Sequence, residues 1–380
     1  MNKLLVTKDV FLKSNLRAYN LNAHFETPNI DKVFSNGSIF LNHYSTAPST
    51  AMSLASIISG MFPYQFGRSR YSKKSKSLNV ETIFEKVIEK NFKPLFIVPE
   101  YWKNWKEFIN AFKGVDFVYF VIDELADLNT FVDKYLKLDS TNMFVWIHLP
   151  HVMRPAVGYN SDINLLDQFF GLIDSSSVFD EIYLSADHGH MDLNKGIMNY
   201  GFDLYQSVIN VPLLSSKSFG SYYVNELTSH VDMFDIIFGD KIIERDYVVS
   251  ETAYRLQGHR KIAIINQQYK LIFNKLTGRI ELYDYLFDQH EKRDLMINKK
   301  WDFYRGKYIN YKGISFYPYE ELANNSLQYL RGILEGIYKP EPFIIELFLK
   351  LSVIGRMLYL PVVNYLNLRK FFRWLKPIKF

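Results

Sequence analysis

The chain contains no cysteine. That one absence removes disulfides, thiol nucleophiles, thiolate zinc sites and iron–sulfur clusters. It also removes any catalytic group made from a cysteine side chain, and it leaves the redox compartment open. Long apolar runs are missing too. The N-terminal Leu4–Val6 run is too short for a signal peptide or a membrane span. Near the other end, the longest charge-free stretch, Met357–Leu368, has 12 residues and contains Pro361. Crossing a bilayer takes roughly 20. No internal repeat or low-complexity tract occurs. What the 380 residues do have is apolar bulk: 48% are hydrophobic and 17% aromatic. A large core can be buried, so disorder is excluded as the dominant state.

The formal charge of +5 is unevenly spread. From Leu347 to Phe380 there are seven basic residues and no acidic one, which leaves the rest of the chain at −2. A slightly acidic body with no basic groove pattern argues against nucleic acid as a partner. The excess positive charge belongs to one aromatic-rich segment. Within it, Arg369, Lys370, Arg373, Trp374 and Lys376 mix basic and aromatic side chains as interfacial anchors do. A helix packed on the body with its basic residues solvated is the alternative.

Short apolar runs at Leu95–Val98, Phe117–Ile122, Met143–Ile147 and Ile182–Leu184 alternate with stretches of helical spacing, such as Val80–Lys90 and Ile163–Leu172. This pattern reads as α/β, with a mainly parallel central sheet sandwiched by helices. Lys261–Asn274, a turn at Leu276–Arg279 and Ile280–Tyr283 read as a small C-terminal antiparallel hairpin subdomain, and a helical tail follows. The expected units are a main domain over 1–300 (hairpin at about 260–290), an aromatic-rich helical extension over 301–342 and a basic amphipathic tail over 343–380.

Ligands of open α/β sheets bind beyond the carboxyl ends of the strands. Three apolar runs end abruptly in polar residues. Leu4–Lys8 runs into Asp9, Phe144–Ile147 into His148 and then His151, and Ile182–Ala186 into Asp187, His188, Gly189 and His190. An Asp-His-Gly triplet alone is an ordinary turn. Delivered with the other two strand ends, it suits a divalent cation such as zinc or manganese. Between Tyr44 and Gly60, seven serines and threonines run into and through a helix pattern. On local sequence alone these are caps, although a helix N-terminus also favours a nucleophile or an anion.

In order, these segments resemble the sulfatase-like branch of the alkaline phosphatase superfamily. The resemblance covers about residues 3–295. It rests on Asp9 after the opening strand, Thr27-Pro28-Asn29-Ile30-Asp31, Gly37–Ser45 and Ser59–Pro63. It continues with His148–His151, Asp187-His188-Gly189, Leu204–Leu213, His230-Val231-Asp232 and the closing hairpin. Sulfatases of this branch carry a Cys/Ser-x-Pro-x-Arg motif. The matching positions here are Thr50, Met52 and Leu54, so all three differ. Thr50–Leu54 looks instead like the nucleophile stretch of phosphoethanolamine transferases, which with lipoteichoic acid synthases use Thr. The second acid of the sulfatase opening strand is replaced by Val10.

The resemblance implies one divalent ion, zinc or manganese, held by Asp9, Thr50, Asp187 and His188. Thr50 would be the nucleophile, and His151, with His148, would act on phosphoryl oxygens or the leaving group. His190, His259 and Asn29 are possible substrate-binding residues, because the extra His of transferases and the Lys of sulfatases are both missing from Asn199–Phe202. The implied activity is transfer of a phospho-head group from a phospholipid or nucleotide-linked donor onto a cell-envelope or lipid-linked glycan. Hydrolysis by the same nucleophile, and a non-catalytic interaction protein on this scaffold, are the alternatives. The expected location is the cytoplasmic face of the membrane, attached peripherally through the tail.

Overall fold

The computed structural model of the chain describes residues 1–66, 80–104, 117–138, 141–151, 158–191, 200–201, 203–239, 241–252, 261–275, 278–296, 299–302, 307–310 and 320–337. The eight strands of the main sheet are β1 (Lys3–Lys8), β2 (Ser38–Tyr44), β3 (Lys93–Pro99), β4 (Phe117–Phe120), β5 (Met143–Leu149), β6 (Glu181–Ala186), β7 (Leu213–Ser215) and β8 (Tyr223–Ser229). They lie in the order β4-β3-β5-β1-β6-β7-β2-β8. Only β7 is antiparallel to its neighbours. The first strand of the chain is thus central, and later strands are added on both sides of it.

Alternation along these strands builds two cores. In β1, Leu4 and Val6 face one side and Leu5 the other; in β5, Val145 and Ile147 oppose Phe144 and Trp146. The first face is covered by α1 (Pro28–Val33), by Leu128–Tyr135 and by α2, the long helix Gly158–Ser176, through Ile30, Phe131 and Phe169. The second face is covered by Thr50–Ser59, Ile83–Glu89 and Met233–Phe238. Thr82 and Glu85 start the Ile83 helix with a capping box, and Gly60 ends the Thr50 helix in the left-handed conformation at φ 63°. Trp146 stacks on Phe96 at 4.4 Å and donates its Nε1–H to Thr7 Oγ1 at 2.9 Å. Truncating such a fully buried ring costs about 3–5 kcal/mol.

A second, antiparallel sheet runs in chain order from β9 (Val248–Glu251) through β10 (Lys261–Ile265), β11 (Tyr269–Asn274), β12 (Arg279–Asp284) and β13 (Lys299–Asp302) to β14 (Lys307–Asn310). The segment Lys261–Asn274 holds two strands, one over each of its apolar runs Ile262–Ile265 and Leu271–Phe273. Asn266 turns the chain between them, its Oδ1 accepting from the N–H groups of Gln268 (3.0 Å) and Tyr269 (2.7 Å). The last described helix, Glu320–Ile337, packs Leu330 and Leu334 into the same apolar cluster as this sheet. Among the described residues no helix is long and apolar enough to cross a membrane.

Register decides what meets at the sheet's edge. In the parallel ladders Lys8 pairs with Leu149 on one side and Ala186 on the other. Asp9, Pro150 and Asp187 therefore leave the sheet at the same level, at the point where strand order reverses.

Candidate active site

The turn after β1 is bent sharply. Val10 has φ 53°, a region that β-branched side chains avoid, and it is almost fully buried. This conformation aims its N–H at Asp187 Oδ1, 3.1 Å away. The same oxygen accepts the His188 N–H at 2.7 Å. Asp187 Oδ2 is left buried with no hydrogen-bond partner, 3.5 Å from His188 Nε2. The imidazole of His188 is oriented from behind. Its Nδ1 lies 2.8 Å from the Gly189 carbonyl, which can only accept, so Nδ1 carries the proton and Nε2 presents its lone pair. Asp9 Oδ1 is 3.8 Å from that Nε2.

Asp9, Asp187 and His188 each offer one ligand atom within 4.8 Å of the others. Burial, and then repulsion from Asp187, hold the Asp9 carboxyl above the usual carboxylate range. An orphaned buried carboxylate oxygen, two crowded carboxylates and a free imidazole lone pair together fit a divalent cation with oxygen and nitrogen ligands. Glycine at 189 is needed for close approach. It is not among the positive-φ glycines, but a Cβ there would sit 2.1 Å from the Ser207 carbonyl oxygen.

Thr50 is the first residue of the Thr50–Ser59 helix and is partly exposed. Local sequence favours caps in the preceding hydroxyl run, yet Ser49 makes no side-chain cap bond. The Thr50 hydroxyl instead donates to Asp9 Oδ1 at 3.4 Å and stands 3.4 Å from His188 Nε2. The helix is fixed one turn on. Ser53 Oγ lies 2.5 Å from the Asp187 carbonyl and 2.8 Å from His230 Nδ1, and its one proton is shared between these two acceptors. Ser45 Oγ reaches the same carbonyl at 2.6 Å, and His230 Nε2 lies 3.0 Å from the Ala186 carbonyl. Burial pushes His230 down to about 3, so it is neutral.

His151 is half-buried; its imidazole hydrogen-bonds the Asp9 backbone, and burial lowers its pKa. His148 is fully buried. Its ring packs on Trp102 at 5.1 Å and shares a hydrogen bond with Thr7 Oγ1 at 3.0 Å. Burial takes it down to about 4, so at neutral pH it is an uncharged imidazole. His190 is partly buried, with Nδ1 3.1 Å from the Met191 carbonyl. Asn29 stands apart from the cluster. Its backbone N–H and its side-chain amide both donate to Asp167, which joins α1 to α2. His259 and the tail residues Arg369, Lys370, Arg373, Trp374 and Lys376 lie outside the described residues.

Sequence reasoning missed the aromatic rim. Tyr101 and Tyr200 are 38% and 41% exposed, and Asp9 and Asp187 help to raise both phenol pKa values after the larger effect of burial. The Tyr200 ring lies 5.0 Å from that of His188. Tyr101 and Trp102 follow β3 at the same edge, so extending the strand-end search to Pro99-Glu100-Tyr101-Trp102 finds them.

The sulfatase family model matches residues 2–195 of the chain. Solved structures of similar fold include a 2-O GAG sulfatase, 15% identical with TM-score 0.65, over 88% of this chain and 92% of that one. Another is a protein in complex with its substrate D-glucosamine-2-N,6-O-disulfate, 12% identical with TM-score 0.64, over 88% and 98%. A third is the phosphonate monoester hydrolase of Agrobacterium radiobacter, 12% identical with TM-score 0.63, over 89% and 96%. At these identities the likeness is one of fold. No curated protein matches the chain by sequence.

Proposed function

The chain belongs to the sulfatase family, and on that premise we propose that it is a metal-dependent phosphotransferase with Thr50 as its nucleophile. The observation that carries this reading is the Thr50 hydroxyl, turned away from helix capping and directed at Asp9 and His188. With Thr50 where the motif has Cys or Ser, and without the Pro and Arg that accompany a converted nucleophile, the chain lacks the motif from which the sulfatase aldehyde is made. Threonine attack on phosphorus needs no such conversion.

Asp9, Asp187 and His188 would hold the cation, with the Thr50 oxygen as fourth ligand. Bound there, a divalent ion supplies positive charge that lowers the pKa of the Thr50 hydroxyl and polarises a phosphoryl oxygen. Thr50 Oγ1 then attacks phosphorus. The new Oγ–P bond forms as the bond from phosphorus to the donor alcohol breaks, and the proton that Thr50 gives up is passed to that alcohol as it leaves. His151 is the imidazole suited to deliver the proton or to hold a phosphoryl oxygen. An acceptor hydroxyl next attacks phosphorus from the opposite side, the Oγ–P bond breaks, and the acceptor's proton returns to Thr50. The donor class is a phospholipid or nucleotide-linked phosphodiester, and the acceptor a glycan of the cell envelope, with the basic tail at a membrane surface.

Hydrolysis is the second reading, with water as acceptor. It is favoured by the fold-level likeness to a phosphonate monoester hydrolase. A covalent group on Thr50 tests both readings at once, and its lifetime in water separates them.

A further inference from the structure

Lys8 occupies a place where an apolar side chain is expected. It ends a central strand between Leu149 and Ala186, and is 1% exposed. As a residue beside Asp9, it reads in sequence as a neutralising charge or a solvated strand end. The ammonium does neither alone. It turns into the protein and pairs with Asp162 of α2 at 2.8 Å. It donates to the carbonyls of Pro150 and of His151, the latter at 2.6 Å. An ammonium has three donors: two meet these carbonyls, and the Asp162 carboxylate faces the ammonium as its ion-pair partner.

The two carbonyls are consecutive and lie just past the end of β5, where the ladder no longer provides partners. The contact also runs the other way, since the His151 imidazole hydrogen-bonds the backbone of Asp9. Residues 8–9 and 150–151 therefore clasp each other, side chain to backbone in both directions. A buried ion pair adds little stability over a well-packed apolar pair. What this one does uniquely is fix where the His151 loop sits against the metal ligands.

We propose that Lys8, braced by Asp162, is a positioning residue that holds the His151 imidazole in register with Thr50 and the metal carboxylates. The proposal rests on the reading of Thr50 and His151 as catalytic groups. A shift of about 1 Å in such a group costs about a hundredfold in rate.

The test is a double-mutant cycle in the metal-loaded full chain, with bis(p-nitrophenyl) phosphate as probe. Lys8→Met should lower kcat by about 10–100-fold, with KM within about twofold and metal binding retained. In a His151→Ala background the same change should cost nothing further. Multiplying effects in that background would overturn the proposal. Asp162→Asn, which keeps an acceptor for the ammonium, repeats the cycle if Lys8→Met folds poorly. The second readout needs no turnover. The ¹H–¹⁵N signals of the His151 imidazole should shift or broaden in Lys8→Met, and unchanged signals overturn the proposal. A wild-type chain inert towards phosphodiesters would count against the phosphotransferase reading, while these signals still decide the role of Lys8.

Discussion

Ser53 Oγ donates to the backbone carbonyl of Asp187 at 2.5 Å, so the helix carrying Thr50 is joined directly to the loop carrying the metal carboxylate. The proposed nucleophile Thr50 and the proposed cation ligand Asp187 stand 137 positions apart in the sequence. Their spacing depends on this buried joint more than on either element alone. His230 supports it from behind, reaching Ser53 and the Ala186 carbonyl together.

Ser53→Ala removes the joint while leaving the shape nearly unchanged. The Asp187 carbonyl keeps Ser45 as a partner, but His230 Nδ1 loses its own. Stability should fall by about 1–3 kcal/mol, and kcat should fall with KM little changed. Denaturant melts and steady-state kinetics on a phosphodiester check this. A variant with wild-type kcat would remove the joint from the account.

Gly189→Ala places a Cβ 2.1 Å from the Ser207 carbonyl oxygen, and backbone must move to relieve it. Because Gly189 also supplies the carbonyl that sets the His188 tautomer, the loss should appear first as weakened metal binding. Equilibrium dialysis of folded Gly189→Ala against zinc and manganese is the measurement. Wild-type affinity would show that the loop tolerates the shift.

Metal binding should depend on pH with a definite sign. Burial and then Asp187 raise the Asp9 pKa in the metal-free protein. A cation at this site displaces the proton that Asp9 holds on the acidic side, so affinity rises with pH and binding releases protons. Calorimetry in two buffers of different ionisation enthalpy reads the proton count. Asp187→Asn should lower affinity by more than the roughly 10–100-fold that loss of an outer-shell partner costs.

The buried imidazoles predict acid lability. His148 and His230 have folded pKa values of about 4 and about 3, lowered by burial from 6.5. Between those values and 6.5 the unfolded chain binds protons that the folded chain refuses. Their stabilising effect is whole above pH 6.5 and is lost as pH falls, at about 1.4 kcal/mol per pH unit for each group. Thermal melts of metal-free protein should drop steadily from pH 6.5 to 4, and less steeply in His148→Leu. A flat profile would contradict the burial of these rings.

Some of the site could be read in the sequence because strands end abruptly. Apolar runs that stop at Asp9, His148 and Asp187 mark one sheet edge, and parallel pairing then brings them level. Thr50 stands out in the sequence only by its place in the order of motifs, since its own neighbourhood reads as a cap. Other features depend on contacts distant in sequence. Nothing near Lys8 announces Asp162, and nothing near Ser53 announces His230. The strain at Val10 is equally silent, because only the fold requires its N–H to face Asp187. Within the second sheet, the apolar runs Ile262–Ile265 and Leu271–Phe273 mark two strands, while the Asn266 side chain that turns the chain between them is a contact the runs do not announce.

The central claim is that Thr50 forms a bond to phosphorus. Intact-mass and peptide-mapping spectrometry of the metal-loaded chain, quenched after mixing with a phosphodiester donor, tests it most directly. The account predicts a phospho-head-group adduct on Thr50 that is absent in Thr50→Ala, and that persists until a glycan acceptor is added if transfer is the reaction. Turnover of the donor with no adduct on Thr50, and with Thr50→Ala as active as wild type, would contradict it.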